Sequence, residues 1–223
     1  MDIKEAVKTR KSIRGYKPDP VPRQVLEEIV RISTRAPSAL NTQPWEIVIV
    51  TGEPLAKIQQ ANAEALAAGK MPQSDFTIEG KPFEGVYKER QRELGFELYR
   101  LLGIARDDRQ KRTEWTMKGF RIFDAPAAIF LAADASLEPA LTYSDIGGLA
   151  QTLCLVALDY GLGTCINNQG IVYPDVIRQA TGLPDSMRMY LCIAVGYPDW
   201  THPANKLESS REVLEKNTYW YGY

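Results

Sequence analysis

Three short apolar runs limit the folds open to this chain. They are Ile47-Val48-Ile49-Val50, "PAAIFLAA" over 126–133 and "MYLCIAVG" over 189–196. Each has the length and aliphatic character of a buried strand. Whole helices' worth of sequence lie between them, so neighbouring strands are not joined by tight hairpins. Within 22–36, Val25, Leu26, Ile29, Ile32 and Ser33 recur at helical spacing. An alanine-rich stretch at 53–68 and an amphipathic stretch at 84–103 read the same way. At 142–160 the stripe is Ile146, Leu149, Leu153, Val156 and Ala157; Thr142 or Ser144 serves as cap and Gly161 as the stop. Gly147-Gly148 inside that helix favours a close backbone approach. Residues 2–9 predict a short helix capped by Asp2, with Ile3, Ala6 and Val7 on one face. The pattern predicts an α+β or α/β layer structure with a central sheet, as one domain over 1–223 without repeats or linkers. Residues 69–83 read as irregular, 105–112 as a solvated charge run, and the aromatic tail as unable to fold alone.

Several function classes drop out on composition. A formal net charge of −1 supplies no field for nucleic acid or an anionic membrane. No continuous apolar run approaches the roughly 20 residues of a membrane span. The N-terminal "MDIKEAVKTRKSIRGY" lacks the apolar core of a secretory signal. Cys154, Cys165 and Cys192 are odd in number and sit among apolar neighbours, which predicts reduced, buried thiols in a cytoplasmic protein. His202 is the single histidine, so His-based zinc sites and Ser-His-Asp triads of the ordinary kind are nearly excluded. Difficult chemistry in such a chain falls to a cofactor.

Four segments concentrate polar groups beyond what turns need. In "RKSIR", extended geometry puts Arg10, Ser12 and Arg14 on one side, with Lys11 adding charge. Two guanidinium forks around a hydroxyl suit a phosphate, although a solvated basic patch reads alike. In "PSALNTQPW", Asn41 and Gln43 alternate along one face; primary amides match a heterocycle edge, and a plain turn into the next strand is the rival. "GLGTCINNQG" follows a helix and lacks a third fingerprint glycine, so it is no dinucleotide motif. Its glycines still let a flat ring approach the backbone. Lys206 and Arg211 in the tail carry little meaning alone.

Together and in this order, these segments resemble the FMN-dependent nitroreductase family. The likeness rests on Arg10-Lys11-Ser12-Ile13-Arg14, on Ala36 through Trp45, on Gly161 through Thr164 and on Arg211. It covers nearly the whole chain and is loosest over 69–120. It implies an α+β fold with a central mixed sheet flanked by helices. It also implies an intertwined homodimer with FMN at the subunit interface. Carried over by position, Arg10, Ser12 and Arg14 hold the phosphate and ribityl chain, with Lys11, Lys206 and Arg211 adding charge. Pro37, Ser38, Ala39, Asn41 and Gln43 join the flavin site, partly that of the partner subunit. Gly163, Thr164, Cys165 and Ile166 lie along the ring. Some members have Pro-x-Glu-Gly near the flavin N5, where this chain has Ile166-Asn167-Asn168-Gln169-Gly170.

The resemblance implies a flavoenzyme that takes hydride from NADH or NADPH and reduces a flat, electron-poor acceptor such as a nitroaromatic or quinone. No side chain need act as nucleophile, and residues 69–118 form a variable lid. Rivals are a reductive dehalogenase of the same fold, resembling iodotyrosine deiodinase, and a non-catalytic flavin-binding module. For the dehalogenase, Glu84, Tyr87, Glu93, Tyr99 and Lys118 do not match in spacing. A flavin-destroying enzyme resembling dimethylbenzimidazole synthase has no residue support.

Overall fold

The computed structural model describes residues 1–76 and 82–222. The 77–81 part of the expected irregular loop, and Tyr223, lie outside the described residues. The helices are α1 (Ile3–Thr9), α2 (Arg23–Ser33), α3 (Gly52–Ala67), α4 (Gly85–Leu101), α5 (Arg109–Phe120), α6 (Pro139–Asp159) and α7 (Pro174–Thr181). The strands are β1 (Glu46–Thr51), β2 (Ala127–Asp134), β3 (Gly163–Ile166) and β4 (Met187–Gly196), in the order β1-β2-β4-β3. All three strand pairs are antiparallel, which corrects the expected mixed sheet. The parallel element among the described residues is one isolated bridge, Ser12 to Thr164.

The sheet is buried on both faces, which is why its central strands read as unbroken apolar runs. On one face Ile129, Leu131, Ile193 and Val195 meet α2 and α6 through Leu26, Ile29, Ile146, Leu149 and Leu153. On the other, Ala128, Phe130, Cys192 and Ala194 meet α3 and α7 through Leu55, Ile58 and Ile177. Between β2 and β4 the register slips: Leu131 faces Leu191, but Ala132 faces Met189. The extra residue, Tyr190, is thereby turned into the first cluster.

Several local expectations need correction. α6 begins at Glu138, whose carboxylate accepts from Ala140 N–H, with Pro139 at the first helical position; Thr142 lies inside the helix, bonded to the Glu138 carbonyl. Among the described residues, a Cβ built at Gly147 or Gly148 meets nothing within 4 Å beyond its own helix, so no close approach uses them there. By length and composition α6 would span a membrane, contrary to the sequence reading, yet its stripe is spent on the core. Of the α1 face, only Ala6 is buried. α5 begins inside the expected solvated run, capped by the Asp108 carboxylate on Lys111 N–H.

Past the end of β3, Asp75 covers the open edge of β4. Its carboxylate accepts from Met189 N–H at 2.8 Å and from Arg178 Nη2 at 2.7 and 2.9 Å. The guanidinium also donates to the Met187 carbonyl at 2.8 Å. Burial works against Arg178's charge, and the Asp75 and Asp175 carboxylates outweigh it, holding its pKa above the usual arginine value.

Candidate functional site

The "RKSIR" segment leaves α1 at Arg10 and runs extended beside β3. Ile13 N–H donates to the Thr164 carbonyl at 2.9 Å. The Ile13 side chain is buried, which turns its neighbours Ser12 and Arg14 to the opposite side. The two strands approach closely because residue 163 is glycine: a Cβ there would stand 2.5 Å from Ile13 Cγ1 and 2.8 Å from Pro198 Cγ. Gly15 is needed for a like reason, since its Cβ would stand 2.2 Å from the His202 ring.

Arg10 and Arg14 are half-buried and have no carboxylate partner among the described residues. Lys11 has one, exposed Glu208 at 3.7 Å. Half-buried guanidinium groups without a counter-ion are an open demand for an anion. The Ser12 hydroxyl supplies a neutral donor beside them. This donor set fits the phosphate of FMN.

The tail reaches the same place. Lys206 closes a short turn, Pro203–Lys206, whose Asn205 side chain bonds the backbone of Arg14 and Gly15. Arg211 is exposed and, among the described residues, bonds its own loop, through the Ser209 and Ser210 carbonyls and the Ser209 hydroxyl.

Residues 163–166 form the strand β3. Cys165 points into the core, where burial pushes its thiol pKa up against the opposing pull of Arg14 and Ser12. Gly163 and Thr164 are buried as well, leaving backbone and the exposed Ile166 side chain to meet a ring. Beyond the strand, Asn167 is spent internally, donating from Nδ2 to the Gly119 carbonyl at 2.7 Å.

The loop at 37–43 is not extended, which corrects the expected alternation of Asn41 and Gln43. It makes a short 3-10 turn, Ala39–Asn41, with Leu40, Asn41 and Gln43 all at φ near +50 to +60°. Such a backbone is strained for leucine and glutamine and is held from outside. Ala39 N–H donates to Asp145 of α6 at 3.1 Å, and Gln43 N–H to the Ser38 hydroxyl at 2.9 Å. Gln43 Nε2 reaches the Asn41 carbonyl at 3.2 Å. Pro37 and the side chains of Asn41 and Gln43 are exposed. Among the described residues no hydrogen bond or ion pair joins this loop to residues 10–14 or 163–166. Hydrogen bonds thus join residues 13–15 to β3 and to the Pro203–Lys206 turn, and among the described residues none joins residues 10–14 to Arg211 or to the 37–43 loop.

Sequence reading missed Asn205 and gave His202 no role. His202 Nε2 lies 3.3 Å from Lys118 Nζ, while Nδ1 accepts from Ala204 N–H at 3.2 Å. Burial first, then the Lys118 charge, lower the His202 pKa, so the ring is neutral at pH 7.

Comparison with known proteins decides the family. The nitroreductase family model matches residues 7–197. The chain belongs to the nitroreductase family. Among curated nitroreductases it is 30% identical to nitroreductase NfnB of Mycolicibacterium smegmatis, over 95% of this chain and 89% of that protein. It is also 30% identical to 4-nitrobenzoate reductase of Pseudomonas putida, over 100% and 96%. Among solved nitroreductases, the FMN- and NADPH-dependent NfnB from sphigopyxis sp. strain HMH superposes with a TM-score of 0.94 at 31% identity, covering 100% of both chains. The Mycobacterium smegmatis NfnB, solved with NADPH, gives 0.92 at 30% identity, over 98% of this chain and 97% of that one.

Proposed function

We propose that this nitroreductase is an FMN-dependent oxidoreductase that passes hydride from NADPH or NADH to a flat, electron-poor acceptor, a nitroaromatic or a quinone. One observation carries the reading: two half-buried guanidinium groups without counter-ions flank a serine hydroxyl, beside a strand that only glycine lets close. Arg10, Ser12 and Arg14 hold the phosphate, and Lys11, Lys206 and Arg211 raise the local positive potential. Gly163 to Ile166 present backbone and one aliphatic side chain to the ring, a surface that excludes water without titrating. When bound, FMN supplies the two-electron carrier between reductant and acceptor. Two relatives bear on the acceptor, since they are named 4-nitrobenzoate reductase and nitrobenzene nitroreductase.

The reading includes a homodimer in which Pro37, Ser38, Ala39, Asn41 and Gln43 serve the partner subunit's flavin. Leu40 is 99% exposed at the tip of a strained loop, and among the described residues a Cβ at Gly147 or Gly148 would meet nothing within 4 Å outside its own helix. α4 buries no residue, and Tyr219 and Tyr221 of the tail stand exposed. These surfaces call for a second chain. Residues 1–223 then form one FMN-binding domain, with 69–118 as its variable lid. Three buried thiols suit a cytoplasmic setting.

The test is direct. Purified protein is expected to be yellow, to release FMN and not FAD, and to bleach anaerobically with NADPH or NADH. Added 4-nitrobenzoate should restore the colour. A colourless protein with no FMN binding by titration rejects the reading; colour that no reduced nicotinamide bleaches leaves a binding module.

A further inference from the structure

We propose that Asn205 is the positioning residue of the anion-binding arm: it fixes the backbone from which Arg14 reaches the phosphate. The inference rests on the FMN reading above. Asn205 is 1% exposed, and its side chain makes four hydrogen bonds. Oδ1 accepts from Arg14 N–H at 2.8 Å and from Gly15 N–H at 3.2 Å. Nδ2 donates to the Gly15 carbonyl at 2.7 Å and to the Asp199 carbonyl at 2.8 Å. A primary amide has two donor hydrogens and two acceptor lone pairs, so its capacity is filled. The orientation is forced as well: flipping the amide would set donors against two N–H groups and an oxygen against two carbonyls.

The arm is held from the β3 side as well, where Ile13 N–H is taken by the Thr164 carbonyl; on the Asn205 side, Asp199 N–H also donates to the Gly15 carbonyl at 3.0 Å. The His202 ring fills the space beside Gly15 and leaves no room for a Cβ. The arm is therefore clamped between β3 and the 199–205 turn, and the Arg14 side chain starts from a fixed Cα. A long guanidinium chain gives up rotamer freedom on binding, and a fixed backbone lowers the remaining ordering cost. All four side-chain bonds of Asn205 go to backbone and none to a guanidinium. Its effect should fall on the part of the ligand that Arg14 grips.

The experiment compares FMN and riboflavin binding to apoprotein by fluorescence titration, for the parent protein, Asn205→Ala and Asn205→Ser. Neither variant adds a charge. The parent should prefer FMN. Asn205→Ala should weaken FMN about 10-fold, the equivalent of one lost charge-assisted contact, and riboflavin less than about 2-fold. Asn205→Ser, which keeps a short acceptor, should fall between. Amide exchange at Arg14 and Gly15 should accelerate in the same order. Equal weakening of both flavins, an unchanged preference, or loss of folded protein in both variants would make Asn205 a residue of the fold alone and overturn the inference. A parent that binds riboflavin as tightly as FMN would reject the phosphate site itself, a distinguishable failure.

Discussion

Replacing Asp75 by alanine tests whether the segment before residue 77 is an integral part of the fold. Asp75 and Arg178 pair with side-chain exposures of 14% and 10%. The substitution strands a buried guanidinium and also orphans Met189 N–H on the β4 edge. The remaining carboxylates near Arg178 are poor substitutes. Asp175 at 3.1 Å is 60% exposed, and Asp185 at 4.0 Å is fully exposed. Breaking a buried pair from one side costs about 3–5 kcal/mol. For a chain of this size that is a drop in Tm of about 6–20 °C. Asp75→Ala/Arg178→Met removes the stranded charge and leaves two neutral backbone groups, Met189 N–H and the Met187 carbonyl, without these partners, at about 1–3 kcal/mol for such a group. The double variant should thus be more stable than the single. Thermal unfolding followed by circular dichroism at fixed protein concentration reads both. A single-variant loss below about 1 kcal/mol, or a double variant less stable than the single, would refute the argument that desolvated charge dominates here.

Other outcomes follow from the site and the surface. Arg14→Ala should weaken FMN about 10- to 100-fold and leave riboflavin nearly unchanged; equal losses in parallel titrations would make Arg14 structural. Gly163→Ala should push Ile13 and Pro198 aside and cost about 1–3 kcal/mol as overpacking, with a visible loss of bound FMN; an unchanged Tm and flavin content would show that the two segments can separate freely. Arg90 and then Lys216 hold the Glu212 carboxyl down to about 2, tying α4 to the tail. That tie is complete above the unperturbed carboxylate pKa of 4.5 and is lost as pH falls through about 2, so hydrogen exchange over 85–101 should match Glu212→Gln at pH 2 but not at pH 5. Burial raises the pKa of all three thiols, so a thiol reagent at pH 8 should label none in the native protein and three after denaturation; one fast thiol would contradict the packing.

The strands legible in the sequence were the three with continuous apolar runs: β2 and β4, buried on both faces, and the edge strand β1, of which only Val50 is buried. β3 was not, since four residues opening on glycine read as the tail of a turn. α5 was hidden for the opposite reason: only Gly119 and Phe120 of it are buried, so it has little apolar stripe, and the Asp108 cap was its one local signal. Pro174 and Gly182 bracket α7 and could have revealed it, as Pro139 could have marked the start of α6. The three arginine and serine positions were legible through alternation, which the structure keeps in "RKSIR". In "PSALNTQPW" alternation misled, because Leu40, Asn41 and Gln43 take positive φ in a turn held by the Ser38 hydroxyl within the loop and by Asp145 of α6. Asn205 carried no signal at all: its key partners are 190 and 191 residues away.

α4 contributes no buried residue to its own chain. Substitutions along most of its length therefore carry little folding penalty, unlike those on α6 or β2. Under the lid reading, this is the stretch of chain that natural or laboratory selection can rewrite most freely. Changes of acceptor preference should accumulate on Val86, Tyr87, Leu94 and Phe96, which stand exposed on it. The sheet and the helices packed on it would stay as they are, and a new acceptor would ask for a new helix surface without asking for a new protein.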